Sequence, residues 1–237
     1  GGGEMELYQL ERDCTSKING QDLMSTRQHE SELELARLGC AHLVGSKAPR
    51  VLIGGMGLGY TLRQVLDMLD SHAKVVVGEL LSAVAEWSRE FFGELNGQPL
   101  EDERVNLKTG DVVSLISRSS GKFDAILLDI DNGPSAMTNS ANSRLYSYEG
   151  LMACRYALRN QGCLAVWSAE PSKKFERLLV GGCGFHVRRF RVPTYKGSKS
   201  QSHFVWVASE NKANLPPGGG EPRLSRGDES KESRRRS

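Results

Sequence analysis

Two carboxylates, Asp129 and Asp131, directly follow the apolar run 123–128 and precede Asn132-Gly133-Pro134. An acid at that place can take a proton from an amine. A second acid two residues on can bind another cationic nitrogen, or raise its neighbour's basicity by like-charge repulsion. A different chemistry lies upstream, in Val51-Leu52-Ile53-Gly54-Gly55-Met56-Gly57-Leu58-Gly59-Tyr60-Thr61. The alternate glycines Gly55, Gly57 and Gly59 let backbone approach a ligand with no Cβ in the way. The helix that follows offers free N–H groups and the positive end of its dipole. Glu79 comes twenty residues after Gly59, and a carboxylate at that spacing can accept hydrogen bonds from both ribose hydroxyls of a nucleoside. The combination points to an adenosine-like cofactor.

These groups need elements to hold them. Leu62, Val65, Leu66 and Leu69 mark one face of a helix over 61–69. Strands are expected at 51–53, 75–78, 105–107, 123–128 and 163–167. Helices at 82–95, near 112–117, and around Tyr148, Leu151, Cys154 and Leu158 alternate with them, and Pro171 opens another. Strand 123–128 is nearly all apolar, as a strand buried on both faces must be. The segments 185–192 and 203–208 are joined by a ten-residue loop with no helix, so they should pair antiparallel. Ahead of this α/β unit, a helix is expected at 30–44. Before it, strands at 7–14 and 22–26 flank Asn19-Gly20, a favoured hairpin turn. The chain thus divides into a small β element at 1–28, a nucleoside-binding domain at 29–209, and a tail at 210–237. That tail, with Pro216-Pro217, three successive glycines and Ser/Arg/Glu runs, has too few apolar residues to offset ordering entropy and reads as disordered.

Composition narrows the classes. The net charge is +2, and the tail from Asn211 onward carries seven Lys/Arg against four Asp/Glu. The body is therefore near neutral and shows no general nucleic-acid footprint. Cys14, Cys40, Cys154, Cys163 and Cys183 are scattered without a CxxC pair or clustered histidines, which argues against a metal site. An odd cysteine count without a secretory leader leads to the expectation of a cytoplasmic protein. The chain begins at Gly1 rather than at a methionine, which leaves room for a targeting segment ahead of it. No apolar run reaches membrane-spanning length, so no membrane partner is expected.

Five βα units closed by an antiparallel hairpin resemble the class I methyltransferase fold, also used by spermidine synthases. That resemblance implies a three-layer α/β sandwich around a mostly parallel seven-stranded sheet. Several stretches are similar to spermidine synthases themselves: "VLIGGMGLGYTLRQVL", "GELLSAVAEWSREFF", "RVNLKTGDVVSLI", "KFDAILLDIDNGP", "LYSYEGLMACRYALRNQGCLAVW" and "RVPTYKGSKSQSHFVWVAS". Together they cover roughly residues 20–209 in the family's order. The resemblance implies decarboxylated S-adenosylmethionine or S-adenosylmethionine as co-substrate, no metal, a small amine as acceptor, and a homodimer. It implies that Glu79 holds the ribose and Asp111 the adenine amino group. Asp129 would be the catalytic aspartate, Asp131 an anchor for the amine, and Tyr195, in "PTY", a residue bordering the substrate pocket.

The departures bear on the reaction. The family's glycine loop carries an aspartate that pairs with the free amine of the decarboxylated cofactor and repels the carboxylate of the intact one; here that place is Leu58. The family's Tyr-Gln pair before its first core helix falls on Glu32-Leu33. The acidic loop reads Asp-Ile-Asp-Asn-Gly-Pro and is shorter than the family's. Aminopropyl transfer to a polyamine, methyl transfer on the same scaffold, and nucleoside binding without turnover all stay open. So do plainer roles: a tight turn for the glycines, a strand-end surface acid for Glu79, a helix cap for Asp111, turn formation for Asp129 and Asp131, and a loop aromatic for Tyr195. The tryptophans and isolated histidines read as packing residues, and Arg234, Arg235 and Arg236 as a solvated end.

Overall fold

A computed structural model of the chain describes residues 5–10, 13–18, 21–25, 29–130, 141–195, 197–198 and 202–222. The first strands, β1 (Met5–Leu10), β2 (Asp13–Ile18) and β3 (Gln21–Ser25), form a three-stranded antiparallel sheet. Residue 10 pairs with residue 13, so the expected single strand at 7–14 is two strands. No glycine or asparagine marks that break, which is why the sequence hides it. The expected Asn19-Gly20 turn lies outside the described residues.

The main sheet holds β4 (Arg50–Gly54), β5 (Lys74–Glu79), β6 (Val105–Thr109), β7 (Phe123–Leu128), β8 (Leu158–Ser168), β9 (His186–Pro193) and β10 (Ser202–Ser209). Its spatial order is β6-β5-β4-β7-β8-β10-β9. The first five are parallel, and β10 runs antiparallel to both β8 and β9. This is the expected α/β fold with its antiparallel C-terminal hairpin. The chain leaves β4 toward β5 and β6, then crosses over to β7. The carboxyl ends of β4 and β7 therefore flank the point where an open α/β sheet binds ligands.

Strand periodicity divides the core into two layers. Val51, Ile53, Ala125 and Leu127 face one way, toward α1 (Glu30–Gly39) and α2 (Tyr60–Met68). Leu52, Ile126 and Leu128 face the other, with Leu151, Cys154 and Ala157 of a later helix and with buried Trp206. The α2 helix is anchored at its far end by Arg104, whose guanidinium donates to the carbonyls of Leu66, Leu69 and Asp70. A cation there satisfies orphan carbonyls and the negative dipole end. Hydrogen bonds from Arg104 also hold the Asp102 carboxyl down to about 2. Among the described residues, no helix is long and apolar enough to cross a membrane.

Three segments differ from expectation. The helix expected over 82–95 is α3 (Ser82–Trp87), a π turn at Ser88–Phe92 and α4 (Gly93–Asn96). A change from four-residue to five-residue hydrogen bonding leaves the apolar stripe too little altered to be seen. Strand β8 begins at Leu158, well before the expected Cys163, because Leu158 already pairs with Phe123 and an irregularity absorbs the surplus residues. The third is the tail expected to be disordered from 210. Asn211 caps a 3-10 turn, Leu215 is buried in the core, and Gly220 exchanges two backbone hydrogen bonds with Arg189 of β9. One buried leucine and the unpaired groups of an edge strand supply what its composition lacks. Residues 223–237 lie outside the described residues. Helices α5 (Val112–Ser117), α6 (Tyr148–Ala157) and α7 (Lys173–Arg177) complete the layers.

Helix α1 lies so close to the sheet that a Cβ on Gly39 would sit 2.2 Å from Leu127 Cδ2 and 2.8 Å from Ala165 Cβ. The leucine tip can move, but the alanine cannot. Gly39→Ala should therefore destabilise the fold by about 1–3 kcal/mol through overpacking. Thermal denaturation should show a drop of several degrees; an unchanged midpoint would mean that the helix rides higher on the sheet than described.

Candidate functional site

The glycine loop takes its shape from three left-handed residues. Gly55, Gly57 and Gly59 have φ of +92°, +50° and +84°. The amide of Gly55 donates to the Gly78 carbonyl (2.8 Å). A Cβ on Gly55 would fall 2.2 Å from the Asp129 carbonyl oxygen, so this glycine is required by the protein's own packing. Gly59 precedes α2 without any side chain to cap it, so the first N–H groups of α2 have no side-chain partner from that position.

Glu79 closes the loop from the next strand. It is only 8% exposed. Its Oε2 accepts from the Met56 amide (2.9 Å) and its Oε1 from the Leu81 amide (2.9 Å). Each carboxylate oxygen keeps a lone-pair direction beyond that bond, so the same group can accept from ribose hydroxyls. The residues present therefore fit the nucleoside that the sequence predicts. Asp111 stands on the neighbouring strand's exit, and the Gly110 amide donates to the Glu79 carbonyl (2.8 Å). Asp111 does cap α5, accepting from the Val113 amide (2.9 Å) and the Ser114 hydroxyl (2.8 Å). Burial pushes its carboxyl up. The Ser114 hydroxyl, the Val113 and Ser114 amides and the charge of Arg144 outweigh that and hold it below the ordinary range.

Asp129 follows β7 directly, and its amide donates to the Gly54 carbonyl (2.8 Å). The Thr61 hydroxyl donates to its Oδ2 (2.7 Å) and lies 3.3 Å from the Glu32 carbonyl oxygen. Glycine loop, Glu79, Asp111 and Asp129 thus share one end of the sheet. Asp131 lies outside the described residues. Tyr195 sits in the β9–β10 loop, 42% exposed, and no hydrogen bond among the described residues joins it to Asp129 or Glu79.

Other residues at this end were not singled out from the sequence as site residues. Thr61 orients Asp129; its signal was its place in the first turn of α2, directly after the loop. Asn96 donates to the Leu58 carbonyl, and Leu58 itself is 1% exposed. Glu32, on which the family's Tyr-Gln pair begins, lies in α1, within the helix expected there, and close enough to Asp129 to feel its charge. Burial pushes its carboxyl well up, and the negative charge of Asp129 adds to the effect. His29 stacks on Tyr60 with ring centroids 4.2 Å apart. Ser31 joins His203 (2.9 Å) to the Trp167 indole (3.1 Å), and burial lowers the His203 pKa. These two histidines and this tryptophan do pack, as expected. The thiols of Cys40, Cys154 and Cys163 are pushed up to about 12 chiefly by burial, which disfavours their thiolates.

Residues 38–178 match the spermine/spermidine synthase domain. The chain belongs to that family. It is 33% identical over 132 residues to a polyamine aminopropyltransferase of Saccharolobus solfataricus, covering 55% of this chain and 42% of that one. It is 27% identical over 184 residues to polyamine aminopropyltransferase 1 of Pseudomonas aeruginosa, covering 73% and 61%. The chain thus spans less than two thirds of the curated relatives it matches. A crystal structure of spermidine synthase in complex with the transition state analogue AdoDATO superposes with a TM-score of 0.72 at 20% identity, over 91% of this chain and 74% of that one. That likeness establishes the fold.

The raised Glu32 carboxyl has a definite consequence for stability. An acid that ionises later in the folded protein than in the unfolded chain makes the fold lose stability as pH rises above its ordinary value of 4.5. Glu32→Gln removes the ionisation. Its thermal midpoint relative to the parent should therefore rise steadily between acidic and neutral pH. A difference that stays flat across that range would show that Glu32 ionises normally in the fold.

Proposed function

We propose that this chain is a spermidine synthase-like alkyl transferase. It would use an S-adenosyl sulfonium co-substrate, decarboxylated S-adenosylmethionine, and move an aminopropyl group to a small amine. The observation that carries this reading is Asp129, fixed by the Thr61 hydroxyl and packed against the glycine loop that Glu79 holds. The names of the relatives support the aminopropyl group and the polyamine acceptor.

The sulfonium supplies an electrophilic carbon and a neutral thioether as leaving group. The protein's task is to hold that carbon about 3–3.5 Å from an amine nitrogen, in line with the C–S bond. The loop amides, Glu79 and Asp111 would fix the nucleoside. The acceptor arrives as an ammonium with no lone pair. Asp129 takes its proton, a C–N bond forms, and the C–S electron pair stays on sulfur. Asp131 would anchor a further nitrogen, and Tyr195 would border the acceptor channel.

A specific observation favours a second reading. Leu58 replaces an acid with a side chain 1% exposed, so the loop carries no carboxylate to repel that of intact S-adenosylmethionine. Methyl transfer with that cofactor is compatible with the same groove.

Titration calorimetry separates these readings. Tighter binding of the decarboxylated cofactor than of the intact one supports aminopropyl transfer, the reverse order supports methyl transfer, and no nucleoside binding at all removes both. Asp129→Asn should lower turnover about 10²–10⁴-fold, the usual worth of a general base, while methylthioadenosine affinity stays within a factor of two or so. Undiminished turnover would take Asp129 out of the mechanism.

A further inference from the structure

We propose that Asn96 is a positioning residue of the nucleoside site, the group that sets the crest of the glycine loop. This rests on the reading above, that the loop receives a nucleoside. Nothing in the resemblance assigns the role. Asn96 falls between two of the stretches that carry it, 78–92 and 104–116.

The geometry points to it through one peptide unit. The base of the loop is tied by Gly55 to the Gly78 carbonyl and by the Met56 amide to Glu79. Its crest is the peptide between Leu58 and Gly59, the last before α2. The Gly59 amide donates back to the Met56 carbonyl (3.0 Å). The Leu58 carbonyl is buried, and Asn96 Nδ2 donates to it. Both polar groups of that peptide are thus engaged, and Asn96 decides which way its carbonyl faces. The side chain lies directly against the loop. A Cβ on Gly59 would fall 2.8 Å from Asn96 Nδ2.

The segment that carries Asn96 is irregular on both sides of it. The π turn at Ser88–Phe92 adds one residue to the helix, which rotates everything after it by about 100°. Such turns are rare and recur at functional sites. Asn96 ends α4, and Gly97 and Gln98 then take φ of +75° and +51° and lead the chain away. Asn96 itself is 6% exposed, and its Oδ1 has no hydrogen-bond partner among the described residues. An apolar side chain would fill the same space without burying an idle oxygen. The asparagine is explained by the N–H that it gives to Leu58.

The test compares Asn96→Asp and Asn96→Ala with Ser88→Ala, each in the full chain. Asn96→Asp keeps the shape and loses the donor. Ser88 is a control on the same segment: it too is buried, and its hydroxyl has no partner among the described residues. The readouts are hydrogen exchange of residues 55–60 in the nucleoside-free protein and calorimetric titration with methylthioadenosine. In both Asn96 variants the loop amides should exchange faster. Nucleoside affinity should fall about 5–100-fold, the penalty for a buried carbonyl left unpaired, because binding must then rebuild the shape of the loop. Ser88→Ala should match the parent in both readouts. Parent-like affinity in Asn96→Asp would overturn the assignment while leaving nucleoside binding in place. An equal loss in Ser88→Ala, or loss of cooperative thermal unfolding in both Asn96 variants, would overturn it in favour of general packing of 82–96. A parent that binds no methylthioadenosine would overturn the nucleoside reading and this assignment with it.

Discussion

The carboxyl end of the sheet depends on one close passage, the backbone of Gly55 running against the carbonyl of Asp129. A side chain on Gly55 would meet that oxygen at 2.2 Å, and the +92° φ there is itself costly for other residues. Hydrogen bonds on both sides hold the passage shut. Gly55 donates to Gly78, Asp129 donates to Gly54, and Gly110 donates to Glu79. The parallel ladder therefore continues beyond the ends of the strands, and the glycine loop, Glu79 and Asp129 belong to one row of backbone. Chemistry that needs tenths of an ångström can be built on such a row, because nothing in it turns independently.

The same row lets a structural tie and the proposed ligand role fall on one residue. Glu79 is a structural tie for Met56 and Leu81, and Asp111 is a helix cap. Neither role uses up a carboxylate. An ionised acid has about four acceptor directions, and two amides leave others open. Fixing the group first by the protein's own N–H groups means that a ligand meets an acid already oriented.

Much of this was legible in the residues. Strand 123–128 was readable to the residue because a run apolar at every position but Asp124, bounded by Lys122 and Asp129, leaves little alternative. The glycine loop and Glu79 were readable because their spacing is set by the length of a βαβ crossover. What escaped was tertiary. Helical spacing sets Glu32 apart from Glu30 and Glu34, which share Arg37, but says nothing of Asp129, whose charge reaches Glu32 only once α1 is packed. Thr61 looked like an ordinary first-turn residue until β7 supplied its acceptor. The π turn at Ser88–Phe92 left the apolar pattern of its helix nearly intact. The ordered start of the tail depends on Leu215 and on the edge of β9, which composition over that window cannot register.

That ordered start has a practical side. Strand β9 is the last in the sheet, and its outer rim carries the amide and carbonyl of Arg189, which Gly220 occupies. Arg188 reinforces the arrangement by donating to the Gly218 carbonyl (2.7 Å). A truncation made at Ser209, where regular structure ends, would strip this selvage and bare a hydrogen-bonding rim to other copies, the usual template for sheet-to-sheet aggregation. Recombinant versions cut for crystallisation are better ended beyond residue 222.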